Sequence, residues 1–156
     1  MNKTNVMRLL ETAGVAFCTM EYEVDENDLS GVHVAEQLCQ PVEQVFKTLV
    51  LHGEKTGYLV CCIPVAEELD LKKAARAAGD KKVEMLPMKE LFPVTGYIRG
   101  GCSPVGMKKK FPTFIDETAV LFDEIAVSAG VRGAQIILNP EDLCAYTEAE
   151  FADLVK

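Results

Sequence analysis

The sequence is poor in the parts from which most hydrolytic and nucleotide-binding sites are assembled. It has two histidines, His33 and His52, and no C-x-x-C pair among its six cysteines. A metal centre therefore lacks the clustered ligands it needs. There is no G-x-S-x-G elbow, no phosphate-loop lysine motif and no G-x-G-x-x-G after an apolar run, which removes the usual signals of a serine hydrolase or a nucleotide-binding fold. No cofactor is expected. No segment approaches the roughly 20 apolar residues that cross a bilayer. The first residues, MNKTNVMRLLETAG, carry neither an apolar signal core nor a small-residue cleavage site; together these predict a soluble, cytoplasmic protein. Repeats, low-complexity tracts and linkers are also missing.

What is present is a chain of 156 residues, 49% of them apolar, enough for one packed domain spanning 1–156. Its cysteines (18, 39, 61, 62, 102 and 144) lie mostly in apolar stretches, where a thiol acts as a small hydrophobe, and fit a reducing compartment. The net charge of −8 argues against indiscriminate binding of polyanions. Lysine and arginine nevertheless cluster at Lys72, Lys73 and Arg76, at Lys81 and Lys82, and at Lys108, Lys109 and Lys110. Any one cluster is ordinarily a solvated face; several together, one abutting a glycine-rich loop, point to phosphate contact.

Periodicity and punctuation predict helices over Lys3–Ala13, through HVAEQLC and through LKKAARAAG, the last capped by Asp70 and closed by Gly79. Pro41 opens a short helical turn, Pro87 a short helix over PMKELF, and Asn139–Pro140 a helix over PEDLCAY. Strands are predicted within Val15–Val24, over Lys47–His52 and Tyr58–Pro64 as a hairpin, and at KKVEM, PTFIDE, EIAVSAG and AQIILN. The result is one α/β domain with a mixed, mainly antiparallel sheet.

Two stretches stand out. In FKTLVLHG, Lys47 sits at the mouth of a β-forming apolar run, and its ammonium must reach water or meet an acceptor there. In TGYIRGGCSPVGMKKKFP, Gly100 and Gly101 can expose backbone N–H groups. Cys102 is the most accessible thiol for a cysteine hydrolase, yet neither histidine is an evident partner for it. Singly, Lys47, the glycines, Ser103, Tyr22 and Tyr97 each have an ordinary structural explanation.

As a set they resemble the YbaK family of aminoacyl-tRNA deacylases, related to the editing domain inserted in bacterial prolyl-tRNA synthetases. The resemblance runs over essentially the whole chain: MEYEVDE, QVFKTLVL, IPVAEELDLKKAARAAGDKKVEM, TGYIRGGCSPVGMKKKFPTFID and SAGVRGAQIIL. It implies an α/β domain with a barrel-like sheet and helices packed outside. It further implies removal of a wrong amino acid, above all cysteine, from tRNA(Pro), with tRNA(Cys) as a further substrate and prolyl-tRNA synthetase as a partner. No metal, membrane or DNA enters.

Under this resemblance Lys47, Gly100 and Gly101 carry catalysis: the two glycine amides hold the ester carbonyl as it becomes an oxyanion, and the Lys47 ammonium anchors the terminal adenosine's phosphate or shares in stabilising the charge. Tyr22, Thr48, Tyr97, Ser103 and Gln135 bind the substrate. Lys72, Lys73, Arg76 and Lys108 to Lys110 face the tRNA. Gln135 departs from the ionisable residue common at its position, and a neutral amide cannot act as a base. The nucleophile is a positioned water or the substrate's own thiol. Two other readings stay open: a non-catalytic module that binds tRNA or a synthetase, and a small-molecule hydrolase using Cys102.

Overall fold

Local capping chemistry sets the helix limits. In the computed structural model, which describes residues 2–156, α1 (Asn5–Thr12) begins where the Thr4 hydroxyl accepts from the Met7 amide. Ser30 caps α2 (Gly31–Leu38), Asp70 caps α3 (Leu71–Ala78) and Asn139 caps α5 (Pro140–Thr147), each accepting from amides of the first turn. Such caps satisfy donors that have no intrahelical partner. The helix α4 (Met88–Thr95) runs past Pro93, one turn beyond the PMKELF stretch expected from sequence.

Eight strands form two sheets. β1 (Cys18–Glu21), β6 (Ile125–Ser128) and β7 (Ala134–Leu138) make an antiparallel sheet in the order β1-β7-β6. The larger sheet contains β2 (Phe46–Gly53), β3 (Gly57–Pro64), β4 (Val83–Met85), β5 (Thr113–Asp116) and β8 (Glu150–Ala152), in the order β4-β2-β3-β5-β8. The predicted hairpin is β2 with β3, in register from Phe46 opposite Pro64 to Gly53 opposite Gly57. β5 adds parallel to β3, and β8 parallel to β5. The sheet is mixed and mainly antiparallel, as the sequence pattern requires, but its strands are divided between two sheets.

Alternation along the strands gives the larger sheet two apolar faces. Phe46, Val60, Cys62 and Ile115 pack inward against Val127, Ile136 and Leu138 of the smaller sheet and against Val6 and Leu10 of α1. Leu51, Leu59, Cys61, Ile63 and Phe114 face the other way, onto Ala74 and Ala75 of α3 and onto Leu154. Burying each of these larger side chains contributes about 1.5–3 kcal/mol. The turn of the hairpin is pinned to the α3–β4 connection by Asp80. Its carboxylate accepts from the amides of Lys55, Thr56, Lys81 and Lys82 and from the Thr56 hydroxyl. These donors hold its pKa far below the usual carboxylate range.

The two sheets touch through a parallel bridge between Val45 and Ala126. On the edge of β2 away from β3, residues 47–49 have no strand partner, because β4 engages only Leu51 to Gly53.

Candidate active site

Beside this unpaired edge of β2 lies a cavity of about 390 Å³. Its floor is β2 from Phe46 to Leu49. One side is β6 and β7 through Ser128 and Gln135; the others are the first turn of α2, the helix α4 and the loop at Arg99–Cys102. Lys47, Thr48, Tyr22, Gly100 and Gln135, all expected from the sequence, line this one space.

Lys47 is half-buried. Loss of water depresses its pKa below the ordinary lysine value, while Glu68 and Glu67 act in the opposite direction. No ion pair to a carboxylate engages its ammonium among the described residues. The cavity lining contains no aspartate, glutamate or histidine. Lys47 and Arg99 are thus its charged groups, both cationic.

The glycine-rich loop divides its labour differently from expectation. Gly100 has φ +85° and reaches the cavity. Its amide and that of Cys102 have no partner among the described residues. Gly101 does not line the cavity. Its amide donates to the Ile98 carbonyl at 3.0 Å, and a Cβ there would lie 3.1–3.2 Å from the backbone of Val131 and Arg132. Gly101 is a glycine because two loops pack backbone to backbone, and its own amide is already engaged.

Tyr97 and Ser103 are also corrected. Ser103 is fully buried, and its hydroxyl accepts from the Val105 amide. The Tyr97 hydroxyl donates to the Val105 carbonyl, and its ring lies against Gly106 and Gly130. Burial raises the Tyr97 phenol to about 12. Both residues brace the loop from behind and stay out of the cavity.

Gln135 lies in the smaller sheet opposite Met20 and Ser128 and is 6% exposed. Its side-chain carbonyl oxygen is buried with no hydrogen-bond partner among the described residues. A buried acceptor without a donor is costly to keep, and this one belongs to a residue that faces the empty space. Ser128 beside it accepts from the Gly130 amide.

Cys102 lines the cavity, and Cys62, buried in the core beneath it, approaches the Thr48 hydroxyl at 3.8 Å. Burial, with a smaller contribution from Cys62, raises the Cys102 thiol to about 12, and burial does the same to Cys62. Neither is a thiolate at neutral pH. No histidine or carboxylate lines the cavity beside Cys102.

The basic clusters separate on the surface. Lys72 and Arg76 are exposed, but the Lys73 ammonium donates to Asp153 at 3.1 Å and to the Val155 carbonyl at 2.7 Å. Lys110 pairs with Glu148. Both also contact the fold's own C-terminal residues. Lys108 stands over the Phe92 ring at 5.3 Å from its centroid, and Lys109 is exposed. Sequence reasoning missed Arg99, Ser128 and the α2 start at Ser30, Gly31 and Val34. Arg99 lay in view inside TGYIRGG; the others arrive through pairings that no local signal announces.

This geometry has relatives. Residues 28–146 match the aminoacyl-tRNA editing domain. The chain is 51% identical over 152 residues, 97% of its length and 93% of the relative's, to an Enterococcus faecalis protein named as a candidate Cys-tRNA(Pro)/Cys-tRNA(Cys) deacylase, EbsC. A crystal structure described as a candidate trans-editing enzyme for prolyl-tRNA synthetase is 28% identical. It superposes with a TM-score of 0.85, covering 100% of this chain and 99% of that one. A hypothetical protein, APE2540, shares the fold at 20% identity with a TM-score of 0.89, over 98% and 100% of the two chains. With that match across most of its length, the chain belongs to the aminoacyl-tRNA editing domain family.

Proposed function

We propose that the protein is a free-standing, cytoplasmic trans-editing deacylase, residues 1–156 acting as one editing domain, that removes mischarged amino acids, cysteine above all, from tRNA(Pro). The observation that carries this reading is a cavity with a cation, two unengaged backbone donors and an unpartnered buried acceptor, and with no protein nucleophile. An aminoacyl ester is already activated; what it lacks is orientation and a place for negative charge to develop.

The ester carbonyl lies against the Gly100 and Cys102 amides, with the Lys47 ammonium close enough to share the developing charge. The Gln135 carbonyl accepts from the substrate's α-amino group, and Tyr22 and Thr48 shape the wall. The nucleophile is the cysteinyl substrate's own thiol, which ionises far more readily than water. Sulfur attacks the carbonyl, a C–S bond forms, the C–O ester bond breaks and the ribose oxygen takes the proton. A cyclic thioester leaves and hydrolyses in water. Alanine and proline bring no thiol, so selectivity and catalysis share one cause. Prolyl-tRNA synthetase is the partner whose released product this enzyme would clear, and Cys-tRNA(Cys) is a second substrate.

The test is a deacylation panel: tRNA(Pro) charged with cysteine, alanine, serine or proline, beside Cys-tRNA(Cys). Rapid loss of cysteine alone supports the thiol route. Comparable loss of alanine assigns the attack to water, and no release from any substrate leaves a binding module. Lys47→Ala lowers the single-turnover rate by about 10²–10³-fold with an unchanged melting temperature.

A further inference from the structure

Outside the cavity, one surface patch does nothing evident for the fold. On α4, Met88 is 59% and Phe92 56% exposed, and Ile98 just beyond the helix is 48% exposed. Large apolar side chains left together in water mark contact surfaces. Met88 and Leu91 line the cavity, and Phe92 stands one turn on from Met88, so the patch continues outward from the mouth.

Cations border it. Lys108 lies over one face of the Phe92 ring, yet the ring keeps more than half its surface in water. At about 100° per residue, Lys89 falls beside Phe92 on the helix, while Glu90 points to nearly the opposite side. Arg99 stands at the lip of the cavity. None of Lys89, Lys108 and Arg99 is paired with a carboxylate among the described residues. Across the mouth the surface is the reverse: from Glu21 to Glu43 there are seven acidic residues and no lysine or arginine.

We propose that this α4 patch is a stacking platform for the unpaired nucleotides at the 3′ end of the tRNA, which enter the cavity from this side. The proposal rests on the deacylase reading and extends it to how the polymer is held. A base needs an exposed ring face and its phosphate needs a nearby cation; Phe92 with Lys89, Lys108 and Arg99 supplies both. An approach over the acidic wall would bring phosphates against carboxylates. A protein partner would be expected to cover a broader apolar area than Met88, Phe92 and Ile98 offer.

The experiment compares two substrates, cysteinyl-tRNA(Pro) and cysteinyl-adenosine, with wild type, Phe92→Ala and Phe92→Trp, each checked for unchanged melting. Phe92→Ala should raise KM for the tRNA about 5- to 100-fold, leave kcat alone and leave cysteinyl-adenosine untouched; Phe92→Trp should restore the tRNA value. Equal losses on both substrates make Phe92 a cavity residue and overturn the proposal, as does no loss on either. Should Phe92→Ala instead weaken only capture of prolyl-tRNA synthetase, the patch belongs to a protein and the proposal fails. Binding of a labelled ACCA oligonucleotide, read by fluorescence anisotropy, separates this idea from the reaction. Weakening by Phe92→Ala supports the platform even if no substrate is turned over, and an unchanged Kd rejects it.

Discussion

Two segments of this one short chain are electrostatic opposites. Between Glu21 and Glu43 lie seven carboxylates and no lysine or arginine, whereas between Leu71 and Lys110 ten of the chain's 16 basic residues face three acidic ones. On the acidic side His33 sits among Asp25 at 3.7 Å, Asp28 at 3.8 Å and Glu36 at 3.9 Å. The overall charge of −8 conceals this division. Net charge is a poor guide to what a protein binds when the charges are sorted by segment, because screening confines each patch's influence to roughly 10 Å.

The largest break in that symmetry is expected from reversing charge in the basic segment. The double substitution Lys108→Glu, Lys109→Glu should weaken tRNA binding about 10- to 50-fold at 0.1 M salt and flatten the salt dependence. Neutralising the other segment, with Asp25→Asn and Glu26→Gln, should tighten binding no more than about threefold. Equal and opposite effects from the two would mean that only total charge matters, and the division would have no functional meaning. Filter binding across a salt series reads both.

A smaller and more local effect sharpens the picture within the cavity. Gln135→Leu removes an acceptor that has no partner in the free protein. It should therefore raise stability by about 1 kcal/mol while lowering deacylation about tenfold. Loss of both, or of neither, would show that the Gln135 carbonyl is not reserved for substrate. Thermal melting and single-turnover rates are the measurements.

An effect confined to alkaline pH lies beneath the floor. Burial raises Cys61 and Cys62 from 9.0 to about 12. The unfolded chain loses these protons near pH 9 and the folded chain keeps them, so their contribution is complete below that pH and declines as pH rises toward 12. The slope is at most about 1.4 kcal/mol per pH unit for each thiol. A Cys61→Ala, Cys62→Ala variant should show a shallower alkaline loss of melting temperature than wild type. Parallel curves would reject this account.

Much of the architecture could be read from local signals. Asp70 and Gly79 bracket α3, Ser30 and Asn139 start their helices, and the run from Phe46 to Pro64 folds on itself as its pattern requires. The pairings that complete the sheet could not. β8 is three residues, Glu-Phe-Ala, whose strand character comes only from lying against β5, 34 residues earlier at Asp116–Glu150 separation in sequence. Within the site, the residues recognised by type and order, Lys47, Thr48, Gly100 and Gln135, meet in one space. Tyr97, Ser103 and Gly101 carry the same sequence signal but brace the loop from behind, since a motif records that a position is constrained without recording which neighbour constrains it.

The bridge between Val45 and Ala126 has a bearing on how such a pocket can be resized. Because the hollow lies against β2 just past this bridge, its size depends on where the two sheets are joined. Sliding that junction by two residues would keep every side chain on its own face and still deepen or close the chamber. Discrimination between a small and a large acyl group can thus be retuned by strand alignment, leaving the residues that touch the ester unchanged.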